Sequence, residues 1–440
     1  MSKSRGTGDS GIAERAIELH AKYRGKVQML PKCPVEGAKD FSIWYTPGVA
    51  APCLEIQRDA QRAYDLTNRG NTVAVVSDGS RVLGLGDIGP LAGLPVMEGK
   101  ALLFKFLGGV DAVPICIKAR SADQIVSVVE ALEPSFGAIN LEDISQPKCF
   151  DVLAQLRGSL SIPVWHDDQQ GTAAVVLGAL INALDVVGKK LDDVKIAMIG
   201  MGAANVANYR ILKAAGVTTG NIIACDSVGI LGRERTDVEE QQVAFRDKWR
   251  VCTETNSERV SGGIPEALRG ADVCIAFSQS GPGVIKPEWI SAMAKDAIVF
   301  ACANPVPEIW PQDALAAGVR IAATGRGDFP NQVNNALAFP GVFRGALDVR
   351  TRAITDEMAI AVARALAKRA GENETISATR LLPTLGELDV AAHVAAATGL
   401  EAQRLGLATI SLSEQTLYQQ ALTTIKAARE SCARLWPTQR

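Results

Sequence analysis

The sequence predicts an α/β protein: an N-terminal α/β domain, then a doubly wound parallel-sheet domain, closed by C-terminal helices. Three observations predict this. Apolar runs of strand length alternate with stretches of helical periodicity, the pattern of parallel sheets with crossover helices. Two acidic pairs, Glu142-Asp143 and Asp167-Asp168, end the apolar runs 136–141 and 162–165, with helical periodicity over 147–157 between them. Finally, Gly200-Met-Gly202 follows a strand-like run, opens a helix and leads to another strand. At 440 residues the chain exceeds one core and implies two or three domains.

Taken in order, residues 1–10 are rich in Ser and Gly, read as a loose tail, and hold no apolar signal core. Residues 12–23 have the period of an amphipathic helix. Residues 42–50 form a turn that leads into a helix through residue 63. The β-branched run 72–77 is a strand ending at Asp78-Gly79. The glycine-rich stretch 84–99 lacks periodicity and predicts a loop, with a helix starting at Lys100 and running to 106. A strand over 112–117 and a helix over 121–133 precede the strand–helix–strand of the acidic pairs. The apolar helix 172–187 contains Asn182 and Asp185 and is too short to span a bilayer comfortably. Strands follow at 194–199, 221–225, 272–277, 297–303 and 320–323, with a helix to 215 after the glycine turn. Residues 356–440 are mostly helical and Ala-rich. The domains expected are 1–170, 171–335 and 336–440, the last returning to pack on the first.

Composition excludes several classes. Apolar residues make up 47% and charged residues 21%, ordinary for a globular protein. The net charge is −2 with no polybasic run, so no nucleic-acid partner is implied. Nine cysteines are well separated, with no CxxC pair, which suggests free thiols in a reducing cytoplasm.

If the two acidic pairs end parallel strands of one sheet, four carboxylates share an edge and repel each other unless a cation sits among them. A hard divalent ion, Mg²⁺ or Mn²⁺, prefers such oxygen ligands. The plainer alternative is helix capping: Asp168 at a helix beginning near Gly171, Asp143 or Ser145 at one beginning at Pro147. The glycine turn is a Rossmann-type dinucleotide fingerprint, with Gly200, Gly202, Ala203 and Ala204 positioned to bring backbone and helix N-terminus to a pyrophosphate. Asn205 stands at the third glycine position, a departure. Asp226 ends the next strand, where a ribose partner belongs. It favours NAD, while Arg233 and Arg235 offset it and leave NADP open. Without a ligand the same segment is a tight strand–helix turn.

Lys100, read as the first residue of an apolar helix, sits near the positive helix end. That depresses its pKa and suits it to act as a base, against the alternative of a surface lysine. Tyr45 lies in the rigid turn Trp-Tyr-Thr-Pro-Gly, as a positioned side chain or an interface tyrosine. Arg81 is suited to clamp a substrate carboxylate or to make a surface salt bridge. Asn304, Asn334 and Asn335 fall in loops at carboxyl ends of strands, as amide donors to substrate or nicotinamide ribose, or as plain turn residues. His166 precedes the second acidic pair and is read as packing behind it.

Together these segments resemble the malic enzyme family in its shorter bacterial and archaeal form. The resemblance rests on 44–50 (WYTPGVA), 77–87 (SDGSRVLGLGD), 97–100 (MEGK), 140–144 (NLEDI), 166–172 (HDDQQGT), 304–309 (NPVPEI), 330–335 (PNQVNN) and 339–348 (FPGVFRGALD). It implies metal-dependent oxidative decarboxylation of (S)-malate to pyruvate and CO₂ with reduction of NAD or NADP. By position, it implies Glu142, Asp143 and Asp168 as ligands of Mg²⁺ or Mn²⁺. Lys100 becomes the general base, Tyr45 the general acid, and Asp167 a carboxylate tuning the base. Arg81, Asn304, Asn334 and Asn335 become contacts to substrate or nicotinamide. It also implies a homodimer or higher oligomer, with an N-terminal catalytic residue supplied by a neighbouring subunit. Membrane and nucleic-acid partners are not expected.

Overall fold

The protein is described by a computed structural model covering residues 7–82 and 84–435. The first six residues of the expected tail lie outside the described residues, whereas helix α1 (Thr7–Tyr23) already begins inside it. The expected helix through residue 63 is divided. Short helical pieces Phe41–Trp44, Ala50–Arg58 and Ala63–Leu66 are separated by turns.

Strand β1 (Thr72–Ser77) is the centre of a four-stranded parallel sheet with β2 (Asp111–Cys116), β3 (Ala138–Leu141) and β4 (Val164–His166), in the order β2-β1-β3-β4. The second sheet is parallel throughout and contains β5 (Ile196–Ile199), β6 (Ile222–Cys225), β7 (Val273–Ala276), β8 (Ile298–Ala301) and β9 (Ile321–Thr324). Its order is β6-β5-β7-β8-β9. Val73, Val75, Ile139, Ile196 and Ile298 have no solvent exposure. Strands covered on both faces read as unbroken apolar runs, which is why they were visible in the sequence. Each sheet reverses its winding once, between β1 and β3 and between β5 and β7. Ligand crevices form at such points, beyond the carboxyl ends of the strands.

The stretch expected as a loop is largely helical. Helix α2 runs from Gly89 to Gly108, with Pro90 in its first turn, where a missing N–H costs nothing. Its buried positions, Gly93, Met97, Lys100, Ala101, Phe104 and Leu107, follow helical spacing. Lys100 therefore lies mid-helix, and the argument from a positive helix end is overturned.

Helix α3 (Lys148–Ser159) crosses between β3 and β4. After β4 the chain makes a π-helical turn, Asp167–Gly171, and passes straight into α4 (Thr172–Val187). The continuous helix Asp167–Val187 has 21 residues, so the reading of this helix as too short was wrong by length and composition alone. It is, however, mostly buried within the protein. The Asn182 amide is satisfied by the carbonyls of Ala367 (2.9 Å) and Leu381 (2.7 Å). α4 is the spine of a core running from Val75 and Trp165 through Leu180 to Met198 and Phe343. Leu180→Ala would cost about 2–5 kcal/mol.

Helix α5 (Ala203–Ala214) follows β5. The chain ends in α6 (Phe339–Asp348), α7 (Asp356–Asn373), α8 (Val390–Arg404) and α9 (Glu414–Leu435). α6 and α9 both pack on α2. Phe104 meets the rings of Phe339 and Phe343 at 4.6 and 5.1 Å, and Arg429 donates to the Phe106 carbonyl at 3.0 Å.

Candidate active site

Register brings the acidic pairs together. Val76 pairs with Leu141 and Leu141 with His166, so β3 and β4 end level and both acidic pairs leave one edge. One carboxylate oxygen from each of Glu142, Asp143 and Asp168 lies within 4.8 Å of the others. The backbone helps to hold them. The N–H of Glu142 still donates to the Val76 carbonyl (2.9 Å). The N–H of Asp143, whose φ is 53°, donates to Asp168 Oδ2 (2.8 Å). Asn140 Nδ2 fixes Glu142 Oε2 at 2.9 Å. No side chain caps either following helix, neither Asp168 nor Asp143 nor Ser145, so the plainer reading fails.

Burial raises the pKa of Glu142 well above the carboxylate range, with Lys100 opposing and the other acids adding to it. Burial likewise raises Asp168, against the pull of Lys100, the Asp143 N–H and Arg81. Three hard oxygen donors that are costly to ionise together are a donor set suited to Mg²⁺ or Mn²⁺.

Asp167 faces another way. Its Oδ2 accepts a short hydrogen bond from Lys100 Nζ, and its Oδ1 accepts from Trp165 Nε1 at 3.2 Å. Lys100 Nζ also lies 3.1 Å from Glu142 Oε1 and 4.4 Å from the centre of the Phe339 ring. Burial pulls the lysine's pKa down, but Asp167, Glu142 and Asp168 outweigh it and hold it above its ordinary value. The sequence reading expected a depressed value. The sign reverses because Lys100 projects from mid-helix into a nest of carboxylates. A Cβ at Gly171 would collide with Asp167 Oδ1, so glycine there lets the carboxylate fold back over its own turn. His166 is fully buried, and burial pushes it down to about 3, so it packs as a neutral ring.

The crevice expected to take a nucleotide lies at the second sheet. Gly200 has φ 83°, and a Cβ there would lie 2.6 Å from the Phe277 carbonyl at the end of β7. Both conformation and space demand glycine. A Cβ at Gly202 would meet nothing within 4 Å, leaving room beside the first turn of α5, where Ala203 and Ala204 sit. Those first-turn N–H groups have no intrahelical partner, which suits them to meet an anion. The Asn205 side chain turns inward. Its Nδ2 reaches the carbonyls of Gly200 (2.7 Å), Ile199 (3.1 Å) and Ile275 (3.2 Å), stitching the turn to β5 and β7. Expected as a cofactor contact, this side chain is committed to the sheet.

Asp226 differs from expectation in the same way. Its carboxylate meets Arg235 through two nitrogens at 3.0 Å, Lys248 at 3.0 Å, and the N–H groups of Val228 and Gly229. Burial opposes these contacts, but they prevail and lower its pKa to about 2. The carboxylate expected to meet a ribose is thus held by internal partners in this structure. Arg235 does offset Asp226, whereas Arg233 donates to the Thr253 carbonyl.

The remaining candidates divide. Arg81 lies on the loop after β1, its N–H on the Asp143 carbonyl (3.0 Å) and its charge acting on Asp168. Asn304 faces the first sheet's loop: a Cβ at Gly84 would be 2.5 Å from its carbonyl oxygen, so the two crevices adjoin. Asn335 borders the turn that carries Asp167, its Cβ 3.4 Å from where a Gly171 Cβ would stand. Asn334 is instead a cap, accepting from the Ala336 N–H (2.9 Å). Tyr45 is 70% exposed, and its hydroxyl bonds to none of these residues.

Sequence reasoning missed Trp165, Phe339, Lys248 and Glu308. Glu308 is fully buried and ties the ends of β7 and β8 through Ser278 N (2.7 Å) and Ala303 N (3.0 Å). Trp165, Glu308 and Phe339 lay within or beside segments already singled out. Lys248 gave no local signal.

Comparison with known proteins follows the same division. Residues 24–157 match the family model "Malic enzyme, N-terminal domain", and residues 169–403 match "Malic enzyme, NAD binding domain". The chain is 46% identical to a NAD-dependent malic enzyme of Geobacillus stearothermophilus, over 93% of this chain and 82% of that one. It is 45% identical to a bifunctional malic/malolactic enzyme of Bacillus subtilis (92% and 96%). The NADP-dependent malic enzyme of Escherichia coli is 40% identical over 94% of this chain but only 55% of its own length. The crystal structure of Entamoeba histolytica malic enzyme superposes with a TM-score of 0.94 at 46% identity, covering 97% of this chain and 89% of that one.

Proposed function

The chain belongs to the malic enzyme family, and from that membership we propose that it converts (S)-malate to pyruvate and CO₂ with NAD or NADP, at Mg²⁺ or Mn²⁺ held by Glu142, Asp143 and Asp168. It is a nicotinamide-dependent oxidoreductase. The observation that carries the proposal is the placing of Lys100 between Asp167 and Glu142, beside the carboxylate cluster.

When bound, the metal would supply Lewis acidity at the malate C2 oxygen, and the nicotinamide a hydride acceptor. A cation held by Glu142 and Asp168 would offset two of the charges that hold the Lys100 pKa up, leaving Asp167 as its partner. Lys100 takes the C2 hydroxyl proton as malate loses hydride from C2. Arg81 is placed to hold a substrate carboxylate, with Asn335 beside the turn that aims Asp167. Loss of the C4 carboxylate as CO₂ leaves the enolate of pyruvate, which needs a proton at C3. The buried walls around Lys100, formed by Phe339 and Trp165, exclude water from that step.

Tyr45 is the proton donor in this scheme, and its own chain leaves it exposed. Phe41, Ile43, Trp44 and Val49 are exposed around it, at 55%, 64%, 50% and 38%. An apolar patch of this kind marks an interaction surface. It supports a homodimer in which Tyr45 of one copy completes the site of the other. Nine free cysteines suit a reducing cytoplasm.

Assaying malate with NAD and with NADP, in the presence and absence of Mn²⁺, tests the proposal. Pyruvate formation that requires both a nicotinamide and the metal is expected. Pyruvate formation at full rate after exhaustive chelation would contradict the metal assignment.

A further inference from the structure

At the amino-terminal edge of the first sheet, opposite the carboxylates, lies a cavity of about 490 Å³. Arg69, just before β1, Arg157, near the end of α3, and Arg350 and Arg352, between α6 and α7, line it together with Tyr64 and Ser161. Like charges so close repel unless carboxylates or a ligand compensate them. The nearby carboxylates fall short. Asp65 bonds Arg350, but it also holds Arg62 at 3.2 Å. Asp356 lies 3.6 Å from Arg157, but its tighter partner is Arg210. Arg69 donates to the Phe136 carbonyl (3.0 Å), and among the described residues neither Arg69 nor Arg352 has an ion-pair partner. Arg157 Nε is buried without a hydrogen-bond partner. The Tyr64 ring steers the cluster, with the guanidinium carbons of Arg69 and Arg350 at 5.0 and 5.3 Å from its centre.

We propose that this cavity binds a small anion bearing two or more carboxylate or phosphate groups, and that Asp356 conveys its binding to the active site. Guanidinium forks match both kinds of oxyanion. Besides Arg157 and Arg210, Asp356 accepts from Gln170 Nε2 (3.4 Å), and Gln170 Oε1 accepts from the His166 N–H (3.2 Å). Gln170 belongs to the turn that carries Asp167 and Asp168, and Arg210 to α5, whose first turn opens the nucleotide crevice. An anion that draws Arg157 away from Asp356 changes the charge balance at the junction of both.

The test is calorimetric titration of the metal-free full chain with inorganic pyrophosphate and, separately, with citrate. Arg352→Glu is the main variant, because Arg352 is exposed and unpaired, so folding is not at stake. Arg69→Gln is the second. At least tenfold weaker binding in both variants is expected, with unchanged turnover in the absence of probe. The tighter probe identifies phosphate or carboxylate as the recognised group. No binding by wild type, or wild-type affinity in Arg352→Glu, overturns the site, since retained binding would belong to the crevices already described. The coupling rests on the proposed function. At fixed free Mn²⁺, the probe should shift KM for malate or NAD(P) in wild type and not in Arg352→Glu. Equal KM values with and without bound probe would overturn the coupling while leaving the site.

Discussion

Lys100 and Asp167 form a buried ion pair, although one projects from the middle of α2 and the other from the carboxyl end of β4. The second lysine contact, to Glu142 Oε1, joins this pair to the carboxylate cluster. The proposed proton transfer and metal binding would thereby meet at one side chain.

Lys100→Ala should lower kcat by about 10²–10⁴-fold, the range for losing a positioned base. KM for malate should change little if the carboxylate cluster still holds the metal. Steady-state kinetics with saturating Mn²⁺ read this, with circular dichroism confirming the fold. Undiminished kcat would falsify the role of Lys100.

Gly171→Ala tests how Asp167 is aimed. Alanine in a helical position normally stabilises by about 0.5–1 kcal/mol relative to glycine. Here the new methyl group would collide with the Asp167 carboxylate and displace it from Lys100. Lower kcat without gain in Tm is expected. Higher Tm with normal kcat would show that Asp167 needs no such fold-back.

Chelation with EDTA should abolish turnover, and Mn²⁺ should restore it. The metal should also raise Tm, because it binds the native carboxylate cluster and not the unfolded chain. A Tm insensitive to Mn²⁺ would contradict a metal site at Glu142, Asp143 and Asp168.

Asp226 has its folded pKa depressed to about 2, so its contribution to stability is present above the unfolded value of about 3.9 and is lost as pH falls through 2. Asp226→Asn should therefore cost roughly 2 kcal/mol at neutral pH, a gap that closes between about pH 4 and 2. Lys248 would be left without its carboxylate and Arg235 would keep only Asp237, so kcat/KM for NADP should rise relative to NAD. Denaturation at several pH values and paired cofactor kinetics check both. A stability gap that persists unchanged to pH 2 would disprove the ion-pair account.

Mixing inactive Lys100→Ala and Tyr45→Phe proteins tests whether the site is shared. If Tyr45 acts on the other copy's site, subunit exchange creates one site with both groups intact, and activity reappears. Activity confined to the sum of the two parents, despite proven exchange, argues against sharing.

Much of this was legible in the sequence because parallel strands covered on both faces read as unbroken apolar runs, and the acidic pairs end two of them. The course of α2 was not, because Gly89, Pro90, Gly93, Pro95 and Gly99 mask the spacing of Met97, Lys100, Phe104 and Leu107. Misplacing that helix start reversed the sign of the Lys100 argument. The commitment of Asp226 was half visible: Arg235 was in view, whereas Lys248 comes from a separate helix, and nothing local announces that its ammonium reaches back. Asn205 illustrates a further limit. A residue out of place in a glycine motif shows that something differs, but only the fold shows that its amide replaces close packing with three bonds to carbonyls.

The most direct test of the account uses malate labelled with ¹³C at C4, with Mn²⁺ and the preferred nicotinamide. The label should leave entirely as CO₂, with one reduced nicotinamide and one unlabelled pyruvate formed for each CO₂. Reduced nicotinamide accumulating with label retained in oxaloacetate would contradict oxidative decarboxylation at this site.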